Sequence, residues 1–209
     1  MSDLIFYTNP MSRGRIVRWM LEEVGCEYQT EIVEYDSSMK AEPFISINPM
    51  GKVPTISHQG KVITETPAIL AYLADAFPEA GLAPALNQRH AYYRWLFFAA
   101  GPLEAVLTNK NLGFEITQDP KLQRMAGYGN YDLVIKVLAQ ALKDNKYIAG
   151  EQFSAADVYL GSHVNWGLEF GTMPKLPELE DYAARTVDRD AYRRANELDN
   201  ALMPNSQEA

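Results

Sequence analysis

The succession of element signals in the first eighty residues constrains this chain more than any other feature. Leu4–Thr8 ("LIFYT") is rich in strand formers and stops at Asn9-Pro10. Ile16, Val17, Met20, Leu21 and Val24 then recur at the spacing of one helix face, and the pattern stops at Gly25. "YQTEIVEY" (Tyr28–Tyr35) reads as a second strand, and "VPTISHQGKVIT" as two short strands joined at Gln59-Gly60. "TPAILAYLADAF" (Thr66–Phe77) reads as a helix stopped by Pro78. The order is therefore strand–helix–strand, an irregular connection, then strand–strand–helix. A right-handed crossover makes the first two strands parallel, and the tight turn makes the later two antiparallel, so the sheet is mixed.

That order is the layout of a thioredoxin-like domain, placed here at residues 1–80. "PEAGLAPAL" (Pro78–Leu86) has the composition of a linker. Beyond it no strand pattern recurs, and helical segments are expected at about 87–109, 122–144 and 154–167, with two shorter ones within 178–202. Residues 86–209 thus read as a second, all-helical domain, and 209 residues suffice for two modest domains. Gly101-Pro102 lies inside the first of its helices, where proline removes a hydrogen bond and predicts a kink that can open a pocket. Tyr92, Trp95, Leu96 and Ala99 share one face of that helix and suit either a pocket wall or a core. Only the closing "NSQEA" reads as disordered.

Composition removes several function classes. A net charge of −8 argues against nucleic acid or an anionic membrane as the main partner. The single Cys26 rules out an internal disulfide, and His58, His90 and His163 are too scattered to suggest a metal site, so no metal is expected. The amino terminus has neither the basic start nor the apolar stretch of a signal peptide, and the longest apolar run, "WLFFAAGPL", is far short of a membrane span. A cytoplasmic protein is expected.

Two stretches carry chemistry. In "NPMSRGR" (Asn9–Arg15), Ser12 is placed to cap the first helix, while Arg13, Arg15 and Arg18 oppose its dipole by about 0.3–1 kcal/mol each. A bound anion such as a thiolate would offset that; solvated arginines are the plainer alternative. In "GKVPTI", Pro54 opens a strand, best explained by a cis Val53-Pro54 bond that turns the Val53 main chain outward toward an extended, peptide-like ligand. Glu65-Thr66 then arrives at a helix start, where Thr66 could act as a cap and Glu65 pair with an ammonium group. A ligand with backbone amides, a free α-amino group beside its carboxylate, and a thiol near Ser12 describes glutathione.

Together "LIFYTNPMSRGRIVRWMLEEVG", "NPMGKVP", "TETPAILAYL" and "FSAADVYLG" resemble the cytosolic glutathione transferases of bacterial type over nearly the whole chain. The resemblance implies glutathione as co-substrate, small hydrophobic electrophiles bound with help from the helical domain, a detoxifying conjugation, and a homodimer. It places the cysteinyl backbone on Val53 beside Pro54, the γ-glutamyl group on Glu65 and Thr66, and the glycine carboxylate within reach of Lys52. Met11 falls where serine-type members carry their serine, and Arg13 near the position used by cysteine-type members. Ser12 is the expected catalytic residue, through its hydroxyl or its N–H, with Tyr7 near the position of the tyrosine-type residue. "FSAADV" resembles the family's capping box, with Ser154 as N-cap and Asp157 three residues on, a folding role. A glutathione-dependent disulfide or peroxide reductase and a non-catalytic interaction module are the other functions open to the same fold.

Overall fold

A computed structural model describes residues 3–114 and 118–203. Contacts divide the chain into two compact units, Met1–Gly81 with Arg189–Ala209, and Leu82–Asp188. The expected second region, 86–209, is thus divided, because its last helix packs with the first unit. The segment "NSQEA" lies outside the described residues.

The first unit is built on a four-stranded sheet of order β2-β1-β3-β4. Its strands are β1 (Leu4–Thr8), β2 (Gln29–Ile32), β3 (Thr55–His58) and β4 (Lys61–Thr64). β1 runs parallel to β2 and antiparallel to β3, and β3 is antiparallel to β4, the expected mixed sheet. Gln59 and Gly60 both take positive φ, the geometry that matches a two-residue hairpin to strand twist. β2 is shorter than the stretch 28–35 suggested: Val33 still donates to the Thr8 carbonyl (2.8 Å), but Asp36 turns left-handed and the chain leaves the sheet.

Alternation in β1 buries Leu4, Phe6 and Thr8 on one face. Against the sheet lie α1 (Gly14–Val24) and α3 (Thr66–Ala76), which also pack on each other; α1 buries Ile16, Val17, Met20 and Leu21. A single turn, α2 (Phe44–Ile47), supplies Phe44 to a cluster with Val33 and Met39, against which Tyr7, Ile47 and Val53 pack.

The terminal helix, α10 (Asp190–Ala201), docks on α1 through paired charges and rings. Arg189 grips Glu23 with two bonds of 2.6 Å, and the Tyr192 ring meets Trp19 edge-on at 4.9 Å. Arg18, buried at 3% exposure, donates to Asp199 (3.1 Å), Tyr28 (3.2 Å) and Thr30 (2.8 Å) beneath the Phe6 ring. Neither expectation for Arg18, a ligand anion or bulk water, matches this arrangement, since its carboxylate comes from the same chain.

The second unit is helical: α4 (His90–Phe98), α5 (Glu104–Asn111), α6 (Pro120–Met125), α7 (Tyr131–Asp144), α8 (Ala155–Glu169) and α9 (Pro177–Val187). At Gly101-Pro102 the chain widens into a π-helical turn, Ala99–Leu103, between α4 and α5, which is how it absorbs the proline. Tyr92, Trp95, Leu96 and Ala99 are all buried, so that stripe is core. The segment 122–144 divides into α6 and α7 where Gly129 takes positive φ. α8 is buried along nearly its whole length, and the expected capping box opens it: Asp157 accepts from the Ser154 N–H while Ser154 caps the first turn.

Candidate active site

Strand register gathers the chemistry. The pairings Thr8 with Ile32, Tyr7 with Thr55, and Thr55 with Thr64 place the end of β1, the start of β3 and the end of β4 at one end of the sheet. Three segments emerge there: Asn9–Arg13, Lys52–Pro54 and Glu65-Thr66. They contain every residue proposed from sequence for glutathione: Met11, Ser12, Arg13, Lys52, Val53, Pro54, Glu65 and Thr66.

Asn9, almost fully buried, organises the first segment. Its Oδ1 accepts from the Met11 N–H (3.0 Å), its Nδ2 donates to the Val33 carbonyl (3.2 Å), and its own carbonyl accepts from the Ser12 hydroxyl (2.7 Å) and N–H (3.1 Å). Such local bonds are why asparagine before proline favours a turn. Ser12 is not the formal N-cap, because α1 starts at Gly14 and Arg13 holds the cap position with helical angles. Its Oγ still accepts from the Gly14 N–H (2.9 Å) and so caps from one residue earlier. Met11 is exposed, and its carbonyl accepts from the Tyr35 hydroxyl (3.2 Å).

The second segment repeats the device. Asn48-Pro49-Met50 matches Asn9-Pro10-Met11 in sequence and in bonding, with the Met50 N–H donating to Asn48 Oδ1 (3.1 Å). Asn48 Nδ2 then holds the Lys52 carbonyl (2.8 Å) and Thr55 Oγ1 (3.1 Å). Gly51 sits at φ +56, where a Cβ would come within 2.7 Å of the Met39 carbonyl, so the tight path demands glycine. The Val53-Pro54 bond is cis, as expected, and no described residue hydrogen-bonds the Val53 main chain. The half-buried Val53 thus stands just ahead of β3 with its main-chain N–H and carbonyl unpaired among the described residues.

In the third segment Glu65 takes φ 67, ψ 117, a conformation that costs a non-glycine residue on the order of 1–3 kcal/mol. Glu65 occupies the cap position and Thr66, buried, is the first residue of α3, one position later than a cap. The Glu65 carbonyl closes the first helical bond to the Ile69 N–H (2.9 Å), while its side chain is exposed. Tyr7 packs on Phe44 at 5.7 Å, and burial, reinforced by the Glu31 charge, pushes its phenol above the ordinary value. It remains a protonated O–H.

Residues 2–75 match the model of the glutathione S-transferase N-terminal domain, and residues 117–190 that of the C-terminal domain. The chain belongs to the glutathione S-transferase family. Among relatives, a probable glutathione S-transferase from Nicotiana tabacum is 29% identical over 203 residues, covering 95% of this chain and 86% of that one. Glutathione S-transferase GstA of Escherichia coli O157:H7 is 30% identical over 149 residues, 68% and 69% of the two chains. A sphingomonad glutathione S-transferase solved in complex with glutathione superposes with a TM-score of 0.76 at 26% identity, covering 94% and 98%.

Within the candidate site, the organising residues Asn9 and Asn48 were missed by sequence reasoning, although the repeated "NPM" was a visible signal. Arg15 was misread. Its guanidinium donates to the Pro10 carbonyl (2.6 Å), Asn196 Oδ1 (3.3 Å) and Asn200 Oδ1 (2.9 Å), instead of facing solvent or an external anion.

Proposed function

We propose that this chain binds glutathione as co-substrate and conjugates its thiolate to small hydrophobic electrophiles, the sulfur forming a new bond to the electrophilic carbon as that carbon's leaving group departs or its π bond opens, with Ser12 stabilising the thiolate. The observation that carries the proposal is the convergence, at one sheet end, of an unpaired Val53 edge, an exposed Glu65 carboxylate on a strained backbone, and the Asn9-organised turn. Glutathione lies along Val53 as an added strand next to Pro54. Its ammonium pairs with Glu65, its γ-glutamyl carboxylate meets Thr66 at the start of α3, and Lys52 reaches the glycine carboxylate. Met11 and Arg13 flank the sulfur. The complex of the sphingomonad relative supports the choice of ligand.

The energetics are modest. Lowering a thiol pKa of about 8.5 by two units takes about 2.7 kcal/mol. A hydrogen bond to a charged sulfur supplies about 1.5–3 kcal/mol and the helix start about 0.3–1 kcal/mol. To donate, the Ser12 hydroxyl turns away from the Asn9 carbonyl, which keeps the Ser12 N–H, so the exchange costs only about 1 kcal/mol. Activation then consists of holding an anion beside its electrophile. Cys26 offers no rival thiol: it follows the Gly25 cap, at the opposite end of α1 from Ser12, and burial pushes it up to about 11. A homodimer acting in cytoplasmic detoxification completes the proposal. No helix among the described residues is long and apolar enough to cross a membrane.

Calorimetric titration with millimolar glutathione, followed by turnover on a chlorodinitrobenzene and on a mixed glutathione disulfide, tests the proposal. Binding with conjugation is expected. Faster turnover of the disulfide by a large factor would make the protein a reductase, and absence of binding heat would leave an interaction module. Ser12→Ala is expected to lower conjugation about 10- to 100-fold, the loss of one charged hydrogen bond, with glutathione affinity nearly intact. An unchanged rate would transfer the role to the Ser12 N–H or to Tyr7. A single-protomer mass in solution at micromolar concentration would remove the dimer.

A further inference from the structure

The peptide joining Pro10 to Met11 is clamped at both of its polar atoms. Its N–H is held by Asn9 Oδ1 (3.0 Å), and its carbonyl by Arg15 Nε (2.6 Å). The Arg15 fork does not end there. Its other nitrogens reach Asn196 and Asn200, one turn apart on α10, so a helix 181 residues later in the chain holds the far end of the clamp. The Asn196 side chain is itself oriented, because its Nδ2 donates to the Tyr192 carbonyl (2.9 Å) and leaves Oδ1 toward Arg15. Tyr192, Asn196, Asp199 and Asn200 share one face of α10, spaced three and four apart. The Trp19–Tyr192 contact and the Arg18–Asp199 and Glu23–Arg189 pairs fix that face on α1.

We infer that Arg15 is a positioning residue for the thiolate site, and that Asn196 and Asn200 extend this positioning to the carboxyl-terminal helix. The inference rests on the glutathione reading of the site. Arg15 never touches the sulfur. By fixing the Pro10 carbonyl it sets the plane of the Pro10–Met11 peptide, hence the path of Met11 and the position from which Ser12 donates. Only a planar fork with three donors in these directions spans one main-chain carbonyl and two amides, so lysine at 15 cannot replace it. A change on α10 therefore alters the acidity of a thiol it does not contact.

The test uses the full chain, its Arg15→Lys variant and the Asn196→Ala/Asn200→Ala double variant, whose replaced side chains lie half-buried and exposed. First, amide hydrogen exchange at Met11 and Ser12 is measured without ligand. Both variants are expected to exchange there about tenfold faster while exchange in β1 and β3 stays unchanged. Unchanged protection at Met11 and Ser12 overturns the inference whether or not glutathione binds. Second, the ultraviolet thiolate absorbance of bound glutathione is titrated with pH. A wild-type protein with no such band defeats the proposed function, while the exchange result still decides the clamp. With the band present, the variants are expected to titrate about half to one unit higher with glutathione affinity within about twofold. A titration curve superposing on that of the wild type overturns the inference.

Discussion

Replacing Asp157 with alanine is expected to remove about 4–6 kcal/mol of folding stability, a large part of the 5–15 kcal/mol typical of a domain. Its two carboxylate oxygens accept four bonds: from the Ile148 N–H (2.7 Å), the Tyr182 hydroxyl (2.9 Å), and the Ser154 N–H (3.0 Å) and hydroxyl (3.1 Å). Asp157 and Tyr182 are fully buried, so alanine leaves donors stranded without water. It also unlocks the start of α8, the helix around which the second unit packs. Burial pushes the carboxyl up to about 6, against the pull of those four bonds. The folded value thus lies above the unfolded value near 4, so the contribution is fully present below pH 4 and is lost as pH rises through 6. The cost of alanine should therefore be about 1–2 kcal/mol greater at pH 5 than at pH 8. Urea unfolding of both proteins at the two pH values checks the size and the sign. A cost below about 1 kcal/mol would mean that the donors find other partners.

How much of this was legible in sequence depends on how far each partner lies along the chain. The strands and α1 were visible because their cause is local: Leu4, Phe6 and Thr8 alternate, and Ile16, Val17, Met20 and Leu21 recur at helical spacing. Ser154 and Asp157, three apart, announced a capping box that the structure contains. Gln59-Gly60 and Gly101-Pro102 likewise act on their own backbone. The arginines after Pro10 were opaque for the opposite reason. A dipole argument counts only neighbouring charges, and by that count Arg15 and Arg18 lacked partners, whereas Asn196, Asp199 and Asn200 arrive from the last helix. The same distance hid the grouping of α10 with the first unit. Glu65 was identified for its carboxylate, but its positive φ is set by the junction of β4 and α3 and has no signature in residue type.

Gly14 yields the second large effect, and one that separates packing from chemistry. A Cβ on Gly14 would lie 1.9 Å from Thr8 Oγ1 and 2.9 Å from Ser12 Oγ. Thr8 cannot retreat easily, being fully buried in β1 with its carbonyl bonded to the Val33 N–H. Gly14→Ala is therefore expected to cost about 3 kcal/mol, the upper range for overpacking. Thr8 Oγ1 is buried and has no hydrogen-bond partner among the described residues, so Thr8→Ala alone should be within about 1 kcal/mol of neutral. Combining the two removes the closest clash and should restore at least half of the lost stability, a coupling of about 1.5 kcal/mol or more. The clash with Ser12 Oγ persists in the double variant. On the proposed mechanism, conjugation should then stay about tenfold or more below wild type even where the melting temperature recovers. Recovery of stability and rate together would mean that the Ser12 hydroxyl can shift without consequence and is not what holds the sulfur.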